Sequence, residues 1–471
     1  MTTNRSVWFL RSSLAVWLTV SAAMRLPAQQ SFLSVPAPAV GSAPIADVGL
    51  NIQSLITEPG FYFGAGVQHS DNIQRTIDAR QTGNIVTLAT ELNVHDQGPR
   101  LRYDLAGNLE WNRYLNGGYA SKVLGYFDGK GTFAIVPSTF DWTVQETVNQ
   151  LNADPLQAPT PNRFLTESYF STGPQFYLRL GDFATAAFGG RYGRTSTGAT
   201  ETVRIGNVSV PNVDLSSNRY EGTGRLEHAF SRRTLISLNA ASERVTYDNQ
   251  ILNTDYTSNT GYLSYEMGGP RMSLLANAGY THVDVGSRGE GIPIGRFELT
   301  RRVSPMATVV FSVSQELQDA LELGRTDTRS PIGTVVAIRP VQPAPTRNRN
   351  VGSAVAYQLA RNTFVLAVEG TDASSEFDPV YNRRIATVDV RYLRPLRPTI
   401  YVELHGTYLH ERYRSLSISD QERLGDIAVS YRPGLRHWLT LRYEYYRRSS
   451  TLDAASFKES RIGVAFVYRV R

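Results

Sequence analysis

Arg461-Ile462-Gly463-Val464-Ala465-Phe466-Val467-Tyr468 is the stretch on which the fold turns. Successive side chains of a strand point to opposite faces, so Ile462, Val464, Phe466 and Tyr468 share one face and Gly463, Ala465 and Val467 the other. Large apolar and aromatic side chains set against small ones suit a strand with one face on lipid. Open sheet edges are not tolerated in hydrocarbon, so such a strand predicts a closed sheet upstream.

The order polar, any, Gly, any, any, apolar, any, aromatic also resembles the C-terminal signal by which outer-membrane barrels are handed to their assembly machinery. Gly463, Phe466 and Tyr468 are its fixed points. Arg469-Val470-Arg471 follow the aromatic, and trimming them is expected to leave assembly intact.

Composition fits a barrel better than a helical membrane protein. Hydrophobic residues make up 41% of the chain and mean hydropathy is below zero, too polar for a bundle of membrane helices. The 25 Tyr, 19 Phe and 38 Gly suit the girdles and bends of a membrane barrel, although a soluble all-β protein would share them. The first 28 residues read as a secretory leader, with Arg5 and Arg11 as the positive start, Ser12 to Met24 as the apolar core and Pro27-Ala28 as the exit. Cleavage is expected near Ala28, with a cut after Ala23 as the alternative. No later stretch approaches eighteen consecutive apolar residues, so any membrane crossing must be by strands.

The chain has no cysteine, which excludes a disulfide framework, a lipoprotein anchor and thiolate metal sites. Its formal charge of +6 falls to +3 once Arg5, Arg11 and Arg25 leave with the leader. Lys occurs only at 122, 130 and 458, and the arginines are scattered among acids. A nucleic-acid footprint needs a clustered basic stripe, and there is none, so no nucleic acid is expected as a partner.

Residues 29–58, with Pro36, Pro38, Gly41 and Pro44 among Ala, Ser and Val, read as an extended periplasmic linker. The barrel is expected over residues 59–471. Turn chemistry recurs at Gly98-Pro99-Arg100, Val136-Pro137-Ser138, Gly181-Asp182, Ser231-Arg232-Arg233, Gly269-Pro270, Ser304-Pro305, Arg361-Asn362, Pro395 to Pro398 and Pro433-Gly434. Longer polar loops fall between them, around residues 70–83, 150–165, 195–216, 248–255 and 319–346. Short turns on one side and long loops on the other is the outer-membrane arrangement, here of periplasmic turns and extracellular loops. Nine tight turns predict an all-β, antiparallel, up-and-down transmembrane barrel of about 18–20 strands.

The faces sort by polarity. Leu101, Tyr103, Leu105, Leu109 and Trp111 oppose Arg102, Asp104, Asn108 and Glu110. Ala386, Val388, Val390 and Tyr392 oppose Asp389 and Arg391; Ile427, Val429 and Tyr431 oppose Asp426 and Ser430; Leu439, Leu441, Tyr443 and Tyr445 oppose Arg442 and Glu444. A charge on lipid costs roughly 2–4 kcal/mol at mid-membrane, so the apolar set is assigned outward and the charged set inward. On that assignment Val429→Arg blocks assembly and Asp426→Arg is tolerated. Arg100, Arg232, Arg233, Arg271, Arg301, Arg302, Arg361 and Arg436 sit at or beside the tight turns, either as cations for lipid phosphates or as the default solubilising residue.

Two segments carry more than barrel pattern. Phe63-Gly64-Ala65-Gly66-Val67-Gln68-His69-Ser70-Asp71-Asn72-Ile73 resembles the first strand and Asp-Asn-Ile loop entry of the β-barrel porin 2 family of outer-membrane proteins. Phe140-Asp141-Trp142, Asp154-Pro155-Leu156, Thr160-Pro161-Asn162, Phe170 to Pro174 and Leu178 to Gly181 resemble its next block, and Gln315 to Asp319 a later one. Members are associated with exopolysaccharide or capsule export. The resemblance therefore implies a non-enzymatic part in polysaccharide secretion, with outer-membrane lipid, the polymer and periplasmic export proteins as partners. It implies no cofactor and no catalytic residue.

The residues themselves offer little chemistry. Seven scattered His form no metal-binding helix motif, and no Gly-x-Ser-x-Gly turn occurs. Glu403 with His405 could be an acid–base pair, or simply two inward residues. Candidate pore-lining residues are Arg225, Glu227, Arg296, Glu298, Asp389, Arg391, Glu403, Arg442 and Glu444, since charges of both signs can line and select in a pore. Any wide barrel also needs a wet lining. Tyr177 and Tyr262 are candidates for stacking on sugar rings, and the loop 319–346 is long enough either to fold inward or to stay outside. Against polymer export stand a diffusion porin for small solutes and an adhesive barrel acting through its loops.

Overall fold

A computed structural model describes residues 60–116, 118–152, 156–197, 203–205, 208–210, 215–249, 253–318, 345–359, 361–375, 377 and 379–470. The chain divides into two units, residues 1–39 and 40–471, and all described residues belong to the second. The expected leader and linker lie outside the described residues.

Twenty-two strands follow in order. β1 is Gly60–Ser70, β2 Gly83–Gln97, β3 Leu101–Tyr114, β4 Lys122–Val136, β5 Phe140–Asn152, β6 Phe164–Arg179 and β7 Ala184–Thr197. A small hairpin, β8 (Val203–Ile205) and β9 (Val208–Val210), sits in the next loop. Then come β10 Ser217–Ser231, β11 Thr234–Tyr247, β12 Tyr256–Gly268, β13 Met272–Val285, β14 Arg288–Ser304 and β15 Ala307–Gln318. The last seven are β16 Thr346–Leu359, β17 Asn362–Ser374, β18 Arg383–Arg397, β19 Ile400–Tyr413, β20 Ile418–Tyr431, β21 His437–Ser450 and β22 Phe457–Val470.

Apart from β8 and β9, the strands form one antiparallel sheet of twenty. It closes on itself where β1 pairs with β22, in the register Phe61↔Val470 to Ser70↔Arg461. The result is an outer-membrane-type barrel without a free edge. Gly463 is at the seam for a steric reason: a Cβ there would lie 2.7 Å from Gln68 Cγ and 3.1 Å from the Val67 carbonyl oxygen. The strand also runs past Tyr468. Val470 pairs with Phe61, the Arg469 N–H donates to the Arg436 carbonyl at 2.8 Å, and the Arg469 guanidinium lies over the Tyr62 ring. Trimming Arg469 and Val470 would therefore shorten the closure itself, contrary to the expectation above.

All nine tight turns fall where turn chemistry places them, and they share one end with Gly60 and Val470. Four are preceded by a bulge, between Ala134 and Val136, Ala229 and Ser231, Arg302 and Ser304, and Pro395 and Arg397. Each bulge adds a residue on one strand, which increases local twist and re-aims the turn. The opposite end carries the longer loops apart from two short connections, one of which, residues 414–417, joins β19 and β20. β13 and β14 are joined by Gly286-Ser287 alone, and Gly286 takes the left-handed conformation (φ 59°) that so short a turn requires.

Side chains alternate as the pattern predicts. Outward residues such as Leu226, Leu263, Val429, Leu441 and Phe466 are exposed and apolar. On β22 the apolar outward run covers Ile462 to Val470, nine residues, within the 9–11 that a tilted strand needs to cross hydrocarbon. Asp426 is inward as expected but is not free to change. It contacts His405 and Arg442, so an arginine there would set a second guanidinium against Arg442 in a buried group. The better inward control is Thr223, which registers with inward Gly189 and is exposed. Val429→Arg is expected to cost roughly 2–4 kcal/mol and abolish recovery of folded barrel from membranes, whereas Thr223→Arg leaves it near wild type. Heat-dependent migration on a gel reads both; equal loss from the two would overturn the face assignment.

Candidate functional site: the inner wall and its loops

The inner wall is built from alternate residues of the twenty strands, so cross-strand register decides which of them meet. Three pairs two residues apart do contact. Arg225 Nε lies 2.9 Å from Glu227 Oε2, Arg296 Nε donates to Glu298 Oε1 at 2.6 Å, and an Arg442 Nη1 lies 3.6 Å from Glu444 Oε1. Neighbouring strands extend them: Arg225 reaches Glu266 at 3.4 Å, Arg296 reaches Glu316 at 3.6 Å, and Arg442 reaches Asp426 at 3.8 Å.

Two other sets of neighbouring candidates find their partners on adjacent strands. Asp389 does not pair with Arg391 but accepts from Thr407 Oγ1 at 2.9 Å and sits 2.7 Å from His405 Nε2. His405 does not pair with Glu403, because its Nδ1 lies 2.9 Å from Asp426 Oδ2. Both ring nitrogens thus face carboxylate oxygens, and the arrangement is satisfied when the ring donates twice. Glu403 is buried, with one oxygen lacking a hydrogen-bond partner. Register supplies these partners: Asp426 stands directly opposite His405, Thr407 stands directly opposite Asp389, and Asp389 is the diagonal neighbour of His405. Among the described residues no group of three or more His, Asp or Glu side chains is placed to hold a metal ion.

Loop residues complete the wall, and periodicity gives no access to them. Residues 71–82 fold over the lumen because the Asp71-Asn72-Ile73 motif staples them to β22. The Ser460 N–H donates to Asp71 Oδ1 at 2.7 Å, Asn72 Nδ2 donates to the Lys458 carbonyl at 2.9 Å and to the Thr76 carbonyl at 2.7 Å, and Ile73 is buried. This aims Arg75, itself at φ 53°, into the barrel, where it is 2% exposed. Arg75 Nε donates to Glu459 Oε2 at 2.8 Å, and its guanidinium lies 5.0 Å from the Tyr446 ring centroid and 5.1 Å from that of Phe457. Its Nη1 donates to the Pro159 carbonyl at 2.6 Å, which ties in the second loop, residues 156–163. That loop is also held by Arg448, which donates to the Gln157 carbonyl at 3.0 Å while binding Asp420 at 2.6 Å. Arg75, two residues past the first of the segments that carried the family resemblance, thus touches Pro159, which immediately precedes Thr160-Pro161-Asn162 of the second. The loop 319–346, expected to be able to fold inward, lies outside the described residues apart from Pro345 and Thr346.

The lining is uneven. On β20 and β21 the side chains of Asp426 and Arg442 are only 8% and 9% exposed, whereas Arg225 and Glu266 on β10 and β12 are 40% and 45% exposed. The arc around β10–β12 is more open to solvent than that of β20 and β21, and Tyr177 and Tyr262 both point into the barrel there.

No protein-family model matches the chain, and no curated protein does. Among solved structures it is similar to the ferric enterobactin receptor of Pseudomonas aeruginosa, with 7% identity and a TM-score of 0.47 over 88% of this chain and 82% of that one. It is also similar to OccK2 of the same organism, with 13% identity and a TM-score of 0.37 over 88% and 98%. The ferric-catecholate import receptor Fiu of E. coli gives 10% identity and a TM-score of 0.41 over 88% and 82%.

Arg75 is the residue that locks both loops. Arg75→Met leaves Glu459 buried with Arg461 as its remaining cation and Ser70 as a further donor, where loss of a buried partner costs up to about 3–5 kcal/mol. The expected outcome is protease cleavage within residues 71–82 and a larger single-channel conductance in planar bilayers. Unchanged conductance together with an uncut loop would show that the arginine does not hold the loops.

Proposed function

We propose that the protein is an outer-membrane barrel that passes a secreted polysaccharide outward from the periplasm without chemistry. The observation that carries this reading is the pairing of an apolar outer face with an inner wall of ion-paired Arg and Glu side chains, solvent-open along β10–β12. A lining of that kind stays hydrated and holds no single strong counter-charge that would trap a polymer in transit. The polysaccharide itself is supported by the resemblance of the Phe63–Ile73 and Phe140–Gly181 segments to the porin 2 family. In this reading the nine short turns face the periplasm and its export proteins, the long loops face outside, and Gly463, Phe466 and Tyr468 address the barrel-assembly machinery.

A second reading has its own observation. Residues 71–82 and 156–163 cross into the lumen and narrow it, as suits a diffusion porin for small solutes. The two separate cleanly. Under the export reading a strain lacking the gene accumulates polymer in the periplasmic fraction and loses it from the surface, while liposomes containing the protein swell slowly in small sugars. Normal surface polymer combined with rapid swelling would assign the porin role instead.

A further inference from the structure

The open arc of the wall has a more specific composition than a wet lining requires. Strand register sets Tyr177, Ala187, Arg225, Asn239 and Tyr262 directly opposite one another across β6, β7, β10, β11 and β12. Two inward tyrosines thus flank one arginine in a single row, separated from it by a small residue on either side. At one strand spacing per step, the two rings lie roughly 19 Å apart along the wall. The next row toward the short-turn end reads Glu227, Ser237, Ser264, Asn277 and Arg296, again by direct register. Its middle is a run of hydroxyl and amide side chains between two ion pairs. Asn239 Nδ2 donates to Ser237 Oγ at 3.0 Å, and Asn277 Oδ1 is buried without a hydrogen-bond partner.

From this geometry we infer that the row Tyr177–Arg225–Tyr262 is a binding track for an uncharged glycan chain. The inference rests on the export reading above. Pyranose rings offer a C–H face that lies on an aromatic ring, and hydroxyls that take up the paired donors and acceptors of Arg, Glu, Asn and Ser. The selection against acidic polymers comes from the carboxylates. Arg225 is bracketed by Glu227 and Glu266, and Arg296 by Glu298 and Glu316, while Arg179 joins the Glu227 row through Thr185, so three guanidiniums face four carboxylates. Arg102, farther along the wall, is tied to Asp141 at 2.6 Å and supplies no free cation. A strip with surplus negative charge repels a polyuronate and leaves a neutral chain to bind by stacking and hydrogen bonds.

The test uses the full-length protein in planar bilayers with two probes, cellohexaose as the neutral chain and a galacturonate hexamer as the acidic one. Cellohexaose is expected to interrupt the current from the periplasmic side, and the galacturonate hexamer to do so at least tenfold less well. Tyr262→Ala and Tyr177→Ala should each weaken the cellohexaose block roughly 3- to 10-fold, Tyr262→Phe should retain it, and open-channel conductance should confirm that each variant is folded. Glu227→Gln with Glu266→Gln should raise the block by the acidic hexamer. No block by cellohexaose, a block indifferent to both alanine variants, or equal block by the two hexamers would overturn the track. Block without an export defect in the deletion strain would instead sink the export reading while leaving the track in place.

Discussion

In hydrocarbon an unpaired peptide N–H or C=O has no water to turn to, and the pairing of Phe61–Ser70 with Arg461–Val470 removes the two edges that a sheet of twenty strands would otherwise expose. Everything else in the structure answers to that closure. It divides each strand into a lipid face and an inner face, and it places the first and last strands at one end with the nine short turns. Gly463 is small because the seam brings Gln68 and Val67 against it, so even the spacing of the terminal strand is a product of closure.

Closure also dictates where chemistry can reside. A charge cannot be afforded on the outer face, so charged side chains collect inside, and there they neutralise one another in two different ways. Along β18–β22 they are buried in a continuous group: Asp389, His405 and Asp426 on three adjacent strands, then Arg442 and Glu444 on the next. Along β10–β12 Arg225, with Glu227 and Glu266 on either side, is open to solvent. The first arc is a framework for the wall; the second is a surface that something in the lumen can touch.

The loops tie these halves together. Arg75 reaches from the β1–β2 loop to Glu459 on β22 and to the carbonyl of Pro159 in the β5–β6 loop, so a contact between residues far apart in sequence fixes the width of the passage. Its surroundings are unusually complete for a loop side chain, with a carboxylate, a carbonyl and two aromatic faces around one guanidinium.

Much of this barrel was legible in the sequence, because its cues are local. Turn residues announce themselves within three or four positions, so all nine short turns and a count of about twenty strands could be read without a structure. The period-two pattern sorted Val429 from Asp426 and Leu441 from Arg442, since the penalty for a charge on lipid acts on each residue independently. Partners were a different matter. Beside Glu403, His405 could be read only as half of an acid–base pair or as one of two inward residues, whereas its partners, Asp389 and Asp426, lie on the strands either side. Likewise Tyr177 and Tyr262 each looked like a solitary inward ring, and only register set them in one row about Arg225. The sequence by itself determined that there is a barrel and which face each residue takes, because alternation needs only the backbone of one strand. Tertiary structure alone decided who meets whom on the inner wall and that Arg75 lies within it, because register is set by closure of the whole sheet and loop path by contacts made across it.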